Sequence, residues 1–161
     1  IIQKVKPDVV IDDYIQLIRM KGHKERRFEL EAVMQEYKWM AKTMEIVPIL
    51  VSQLNREIER RIDPIPKLSD LAESGSIEQV AENVLFVYYD YKVNYDYSDT
   101  GKYKAQIVAA KVRYGETGMM IFGFDGNRVK YYEIAEEVFT ATLSEKEKLT
   151  KRKGVASAKP F

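Results

Sequence analysis

The stretch PDVVIDDYIQL, residues 7–17, decides the fold. Its β-branched run has the composition of a short buried strand, and Asp12 and Asp13 stand at the end of that strand. Apolar residues then recur at helical spacing over residues 27–45, with glutamate and lysine on the other face. A second apolar run, residues 47–51, predicts another strand. The order strand, helix, strand indicates an α/β fold with a parallel sheet covered by helices.

The second half of the chain predicts further strands. Apolar runs at residues 84–88 and 105–110 favour a third and a fourth strand. Residues 119–124 and 128–132 have the composition of a closing hairpin across the turn Asp125-Gly126-Asn127.

Two shorter segments and the tail complete the organisation. The prolines within residues 63–66 exclude a helix there. Residues 77–83 predict a turn or two of helix, with Ser76 as its N-cap. We expect one domain over residues 1–143, followed by a basic tail at 144–161.

Composition restricts the class of protein. The chain has 161 residues, of which 45% are apolar and 32% charged, and this is typical of a globular domain. It contains no cysteine, which excludes disulfides, thiolate metal sites and cysteine nucleophiles. No signal peptide is visible and no apolar run is long enough to span a bilayer, so no membrane partner is expected.

Positive charge is concentrated in two places. The net charge is +1, yet residues 19–27 carry +4 and residues 144–161 carry +4, which leaves −7 for the rest. Basic segments on an acidic body are typical of a polyanion-binding protein, and they are also typical of solvated surface. Charge alone leaves both interpretations open.

Polar groups follow several of the predicted strands, where parallel sheets bind ligands. A carboxylate at the end of a strand, Asp12 or Asp13, suits hydrated Mg²⁺, which takes one or two carboxylates and phosphate oxygens. Gln53 could hydrogen-bond a γ-phosphate or its attacking water. Lys111 and Arg113, two residues apart on an extended segment, point the same way and suit a triphosphate. The alternatives are a capping role for the aspartates and surface ion pairs for the cations.

Four motifs follow one another along the chain: IDDYIQL, LVSQLNR, LSDLAESGSIEQ and AAKVRYGETG. Together they resemble the RecA-like motor domain of the DnaB-type replicative DNA helicases, over about residues 7–132. The resemblance implies a RecA-like α/β fold with a mostly parallel sheet flanked by helices, ending in an antiparallel hairpin.

The same resemblance implies a role for each nucleotide-site residue. Asp13 matches the Walker B aspartate that holds Mg²⁺ through water, with Asp12 as the alternative. Gln53 matches the glutamine that senses the γ-phosphate. Lys111 and Arg113 match the pair that reaches the ATP of the next subunit, with Arg113 as the arginine finger.

The resemblance also implies a contact with single-stranded DNA. Glu73, Ser74 and Gly75 match the loop that lines the central channel, where a glycine lets the DNA backbone approach. Ala72 stands where the family usually has arginine. The basic run lies where the family has another channel loop, and its side chains are candidates to replace that contact: Lys21, Lys24 and Arg26.

One motif of the family is absent from the sequence. No G-x-x-x-x-G-K-[ST] occurs, so these residues alone cannot cradle the phosphates of ATP. We therefore expect the C-terminal part of a motor domain, inactive by itself, from a homo-hexameric ATP- and Mg²⁺-dependent helicase that unwinds DNA. The expected partners are single-stranded DNA, primase and a helicase loader, in the cytoplasm of a cell or of a phage host.

Two other interpretations stay open. The chain could be a non-catalytic RecA-like accessory subunit that binds DNA or completes a neighbour's ATP site. It could also be a recombinase-like filament protein, but the Glu-Ser-Gly-Ser loop and the Lys-x-Arg pair do not favour that class.

Overall fold

The structure is a computed structural model that describes residues 2–71, 75–89 and 101–133. The chain divides into two compact units, one formed by Ile1–Leu85 and Ala109–Thr117 and the other by Phe86–Val108 and Gly118–Phe161. The predicted domain end at residue 143 and the basic tail at 144–161 lie outside the described residues.

The first unit contains a short helix, α1 (Ile2–Val5), and a parallel strand pair. β1 (Val9–Asp12) pairs with β2 (Val47–Leu50) in parallel, with Val9 opposite Val47 and Asp12 opposite Leu50. The Val51 amide extends the ladder by donating to the Asp12 carbonyl at 2.9 Å. The parallel pair predicted from the sequence is therefore confirmed.

The connection between these strands is α2 (Arg26–Met44), as the helical spacing predicted. Its buried side chains follow positions i, i+3, i+4 and i+7: Leu30, Val33, Met34 and Tyr37. Leu30 is fully buried, and so is Ile15 just after β1. The helix ends at Met44, and the capping residue Glu45 has a φ of 54°, which places a non-glycine residue in the left-handed region.

One face of the β1–β2 pair is exposed. Val9, Ile11, Val47 and Ile49 alternate with half-buried residues and are each about half or more exposed. The expectation of strands buried on both faces is wrong for this face in the described chain. The run of β-branched residues predicts strand, but it cannot show which face the described residues leave uncovered.

A short helix, α3 (Gly75–Val80), packs on α2. It begins at Gly75, so Ser76 lies inside the helix, where it is buried, and the prediction that it is the N-cap is wrong. Single 3-10 turns occur at Ile15–Leu17, Arg56–Arg60 and Leu68–Asp70. Residues 63–66 are not helical, as their prolines predicted.

The remaining strands form a separate four-stranded sheet in the order β3-β4-β5-β6. They are β3 (Asn83–Tyr88), β4 (Lys104–Val112), β5 (Gly118–Asp125) and β6 (Lys130–Tyr132). A 3-10 turn, Gly101–Tyr103, precedes β4. Both β3 and β4 occur where the apolar runs predicted strands. The prediction of a mostly parallel sheet is confirmed for β1–β2 only, because in the second sheet β5 and β6 pair antiparallel.

The predicted hairpin closes the described chain. β5 and β6 pair antiparallel, with Gly123 opposite Tyr132. At the turn the Asn127 amide donates to Asp125 Oδ1 at 3.1 Å, and Arg128 Nη1 lies 3.5 Å from Asp125 Oδ2. These contacts satisfy the carboxylate of Asp125, which is only 3% exposed.

Candidate functional site

The carboxyl end of the β1–β2 pair brings two of the sequence motifs together. The Gln16 side chain joins them, because its Nε2 donates to Ser52 Oγ at 2.9 Å and its Oε1 accepts from the Gln53 amide at 3.2 Å. The Ile15 amide donates to the Val51 carbonyl at 2.9 Å. The residues after the two strands are thus held side by side.

The polar side chains at this end face solvent. Asp13 is the first residue after β1 and is exposed, whereas Asp12 lies within the strand and is half-buried. The peptide bond between Asp13 and Tyr14 is cis. Gln53 is exposed, and its side-chain amide has no hydrogen-bond partner within the part of the chain that the structure describes. An exposed carboxylate with room for water is the protein ligand that Mg²⁺ takes when water and phosphate supply the rest.

The segment after Gln53 pairs with the segment before the predicted channel loop. Leu54 and Leu71 form an isolated antiparallel bridge, and the Asn55 amide donates to the Asp70 carbonyl at 2.7 Å. The segment that follows β2 is therefore hydrogen-bonded directly to the segment that ends at residue 71.

A charged pair holds that second segment in place. Arg61 Nη1 and Nη2 donate to the two carboxylate oxygens of Asp70 at 3.0 and 2.8 Å, and the Lys67 amide donates to the same carboxylate at 2.8 Å. Arg61 also donates to the Ile65 carbonyl. Asp70 is only 8% exposed, so this bidentate pair satisfies a buried carboxylate and joins the two ends of residues 61–70.

The predicted DNA-binding loop is only partly described. Glu73 and Ser74 lie outside the described residues, and Gly75 is the first residue of α3. Beside Gly75 stands Arg27, whose Nη2 would lie 3.6 Å from a Cβ at that position. Arg27 is exposed. The sequence motifs do not single out Arg27, because only the packing of α2 against α3 brings it close to Gly75. The one signal in the sequence was that Arg27 belongs to the basic run.

The three basic-run candidates differ in their surroundings. Lys21 and Lys24 are exposed in the loop before α2. The side chain of Arg26 is 19% exposed and turns inward, donating to the Ile18 carbonyl at 2.9 Å and the Gln16 carbonyl at 2.8 Å. Arg26 therefore ties the basic run to the residue that joins β1 and β2.

Glu29 makes further contacts that hold the basic run against the start of α2. Its carboxylate accepts from Arg26, from the Met20 amide at 2.6 Å and from Arg19 at 3.3 Å. The Arg26 hydrogen bond, followed by that of the Met20 amide, lowers the pKa of Glu29 below its usual range. Glu29 is consequently charged at neutral pH and fixes the loop that carries Lys21.

The Lys-x-Arg pair is held by the last turn of α3 and by Glu82, which follows that helix. Lys111 Nζ donates to the carbonyl of Glu78 at 2.6 Å and approaches that of Gln79 at 3.4 Å, which places its charge at the carboxyl end of the helix. Arg113 Nη1 donates to both carboxylate oxygens of Glu82 at 2.6 Å. Both side chains point to residues 78–82, in agreement with the spacing of two along a strand.

Glu82 is the centre of this second cluster. The Arg113 hydrogen bond lowers the pKa of Glu82, and the same bond raises the pKa of Arg113. Lys38 Nζ, on α2, lies 3.5 Å from the Glu82 carboxylate. The Arg113 amide also donates to the Glu82 carbonyl at 3.1 Å, so the backbone and the side chain of Arg113 are both hydrogen-bonded to Glu82. Glu82 is a second residue that sequence reasoning missed.

Comparison with known proteins identifies the family of a chain that carries polar residues at the end of β1–β2 and the Lys111–Arg113–Glu82 cluster. The family model for the DnaB-like helicase C-terminal domain matches residues 1–133. The chain belongs to this family.

Individual curated proteins of the same family are similar to this chain in sequence. The replicative DNA helicase DnaB of Pasteurella multocida is 38% identical over 130 residues, 80% of this chain and 27% of that protein. The replicative DNA helicase DnaC of Bacillus subtilis is 37% identical over 118 residues, 72% of this chain and 26% of that protein. The chain thus spans about a quarter of the length of the curated relatives it matches.

Solved structures show the same likeness. A DnaB-like replicative helicase, described with its interactions with primase, matches with a TM-score of 0.71 and 34% identity, over 77% of this chain and 30% of that one. A second solved structure, described as an ATPase domain, matches with a TM-score of 0.73 and 32% identity, over 78% of this chain and 44% of that one. Among the described residues no helix is long and apolar enough to cross a membrane.

Proposed function

We propose that this chain is part of the RecA-like motor of a hexameric, ATP-dependent replicative DNA helicase that moves along single-stranded DNA and unwinds duplex. Family membership supports the class. The observation that carries the proposal is the junction at the end of β1–β2, where Gln16 joins the Asp13 segment to the Gln53 segment. Phosphoryl transfer depends on the positioning of the metal ligand and of the residue that orients the nucleophile, and this junction holds the two segments side by side.

The nucleotide site draws on this junction. Asp13 would hold Mg²⁺ through bound water, with Asp12 as the alternative ligand, and Mg²⁺ would neutralise charge on the phosphates. The exposed amide of Gln53 would hydrogen-bond the γ-phosphate of ATP or the attacking water. No phosphate-binding glycine-rich loop occurs in the 161 residues, so under this proposal other residues supply it.

Lys111 and Arg113 would act on the nucleotide of the neighbouring subunit. An arginine supplied in trans stabilises the charge that develops during phosphoryl transfer. Arg113 is half exposed and stands just beyond β4, which leaves its guanidinium accessible to a second chain.

Single-stranded DNA would contact the loop before α3. Gly75, with Glu73 and Ser74, would present backbone groups to DNA phosphates, and Arg27 beside Gly75 would supply the charge that Ala72 does not. Lys21 and Lys24 are exposed and would add phosphate contacts, whereas Arg26 would position the basic run.

The remaining partners follow from the class. We propose a homo-hexamer that works with primase and a helicase loader in the cytoplasm of its cell or, for a phage protein, of its host. One solved relative is described with its interactions with primase, which supports that partner.

The test replaces Arg113 in the complete protein. R113A should abolish DNA-stimulated ATP hydrolysis while circular dichroism stays unchanged, because removal of an arginine finger costs about 10³–10⁵ in kcat. The matched control is R60A, an exposed arginine with no ion pair among the described residues. Mixed hexamers of R113A and D13N subunits should recover activity, since each D13N subunit still offers Arg113 to its neighbour. Full activity of R113A alone would refute the finger role.

The accessory-subunit interpretation is retained because the sequence contains no phosphate-binding loop. It predicts that the complete protein binds no ATP by itself but stimulates hydrolysis by a catalytic partner. Equilibrium binding of a fluorescent ATP analogue separates the two: binding that competes with ATP supports the motor, and no binding supports the accessory subunit.

A further inference from the structure

Arg113 is held in a defined conformation by Glu82. Two bonds of 2.6 Å join them, and both leave from a single nitrogen, Nη1. Guanidinium has five N–H groups. Within the described chain, Nη2 and Nε of Arg113 have no hydrogen-bond partner, so one edge of the guanidinium is bonded to Glu82 and the other edge makes no hydrogen bond. The guanidinium carbon also lies 5.7 Å from the centre of the Tyr114 ring, a contact with the face of the group that leaves its N–H edges open to a phosphate.

The free edge is the part that a phosphate requires. Guanidinium recognises phosphate through two parallel N–H bonds, and Nη2 with Nε form one such edge. An arginine whose side chain makes no other contact must lose its rotamer freedom when it binds the phosphate in the transition state. That entropy loss reduces the stabilisation that the arginine gives to the transition state. The Glu82 contact removes part of that freedom before a neighbour's nucleotide arrives.

The surroundings of Glu82 suit this task. Residue 82 follows the helix whose last carbonyls bind Lys111, and the Arg113 amide donates to its carbonyl, so one segment holds both cations. Lys38 lies 3.5 Å from the Glu82 carboxylate and offsets its negative charge, which would otherwise repel a triphosphate. Mutual stabilisation of the charged forms lowers the pKa of Glu82 and raises that of Arg113.

We propose that Glu82 is a positioning residue that orients Arg113 for the nucleotide of the neighbouring subunit. The inference rests on the proposed finger role of Arg113 and adds to it the residue that sets its geometry. Glu82 does not touch the nucleotide. It acts through Arg113, and its effect is confined to the step in which charge develops on the phosphates.

The experiment measures DNA-stimulated ATP hydrolysis by the complete protein. E82Q should lower kcat about ten-fold, equal to about 1.4 kcal/mol, and leave KM for ATP unchanged. E82D keeps the carboxylate and should restore part of the loss. The melting temperature should not change, because the pair is exposed and contributes little to stability. E36Q removes an exposed glutamate of α2 that has no ion pair among the described residues, and should behave as wild type.

Each outcome has a distinct meaning. A wild-type kcat for E82Q overturns the positioning role, and a raised kcat would show that Glu82 masks Arg113 instead. A parallel fall in the melting temperature, or a change confined to KM, would also overturn it. If R113A is inactive and E82Q is normal, only this inference fails, whereas a fully active R113A refutes the finger role itself.

Discussion

The two polar clusters of the first unit are assembled by different forces. At the end of β1–β2, backbone pairing places the segments that carry Asp13 and Gln53 side by side, and the neutral amide of Gln16 joins these segments. At the end of β4, ionic and carbonyl contacts to residues 78–82 hold Lys111 and Arg113. The first cluster is thus fixed by the fold, and the second depends on side chains that a partner could rearrange.

This difference is what the two proposed tasks require. A metal and γ-phosphate site must keep its ligands in register through every cycle, and a strand ladder provides that rigidity. A residue that reaches into a neighbour must remain exposed and yet ordered, which a half-exposed ion pair permits. Substitutions in and around the two clusters can test this contrast, from the largest expected effect to the smallest.

The largest effect should come from the carboxylate after β1. D13N in the complete protein should lower ATP hydrolysis by at least about 100-fold, because Asp13 is the proposed metal ligand and loss of a ligand costs more than the 10–100-fold that loss of its supporting residues costs. D12N should change it only a few-fold, since Asp12 lies within the strand. Hydrolysis measured across a Mg²⁺ titration checks both. The reverse order would assign the metal to Asp12.

Asp70 should produce the next effect, on local stability. D70N leaves Arg61 without its carboxylate partner in a poorly solvated place, which should cost about 2–4 kcal/mol of local opening free energy. Hydrogen–deuterium exchange should therefore accelerate strongly at the Asn55 amide, which donates to the Asp70 carbonyl. R60A serves as the control. Unchanged protection at Asn55 would mean that the Arg61 pair does not hold this connection.

The elements that the sequence predicted are those that local patterns specify. The stripe of α2, the parallel pair and the β5–β6 hairpin each depend on periodicity or on turn residues near one another in the chain. The predicted helix at residues 77–83 missed the start of α3 by two residues and its end by three, because a helix of six residues has too few turns for periodicity to fix its ends.

The contacts that escaped prediction join distant charged residues. Glu82 and Arg113 are separated by 31 positions, and in a chain with 25 acidic and 26 basic residues no local rule selects that pair. Arg27 beside Gly75 escaped for the same reason, since only the packing of α2 on α3 brings them together. Motifs in the sequence propose the residues of the candidate site, but they do not reveal the side chains that contact those residues.

A smaller effect is expected at Gln16. Q16A removes two neutral hydrogen bonds, each contributing about 1 kcal/mol, and should speed exchange of the Gln53 amide by about ten-fold or somewhat more. Q35A, at an exposed position of α2, is the matched control. Because the strand ladder remains, ATP hydrolysis should fall less than with D13N. Equal losses would show that the amide junction, and not the ladder, fixes the first cluster.

The smallest effect is expected in the response of local stability to acidic pH. The lowered pKa of Glu29 means that its stabilising contribution is fully present above the unfolded value, about 4.3, and is lost as pH falls through the lower folded value. Below about pH 4 the Met20 amide should therefore lose protection, after correction for intrinsic exchange. E29Q should abolish that acid-dependent change. E82Q should leave it in place, because Glu29 is connected through Arg26 to Gln16 of the first cluster, whereas Glu82 belongs to the second. An acid response abolished by E82Q would mean that the two clusters share one support, and the contrast between them would fail.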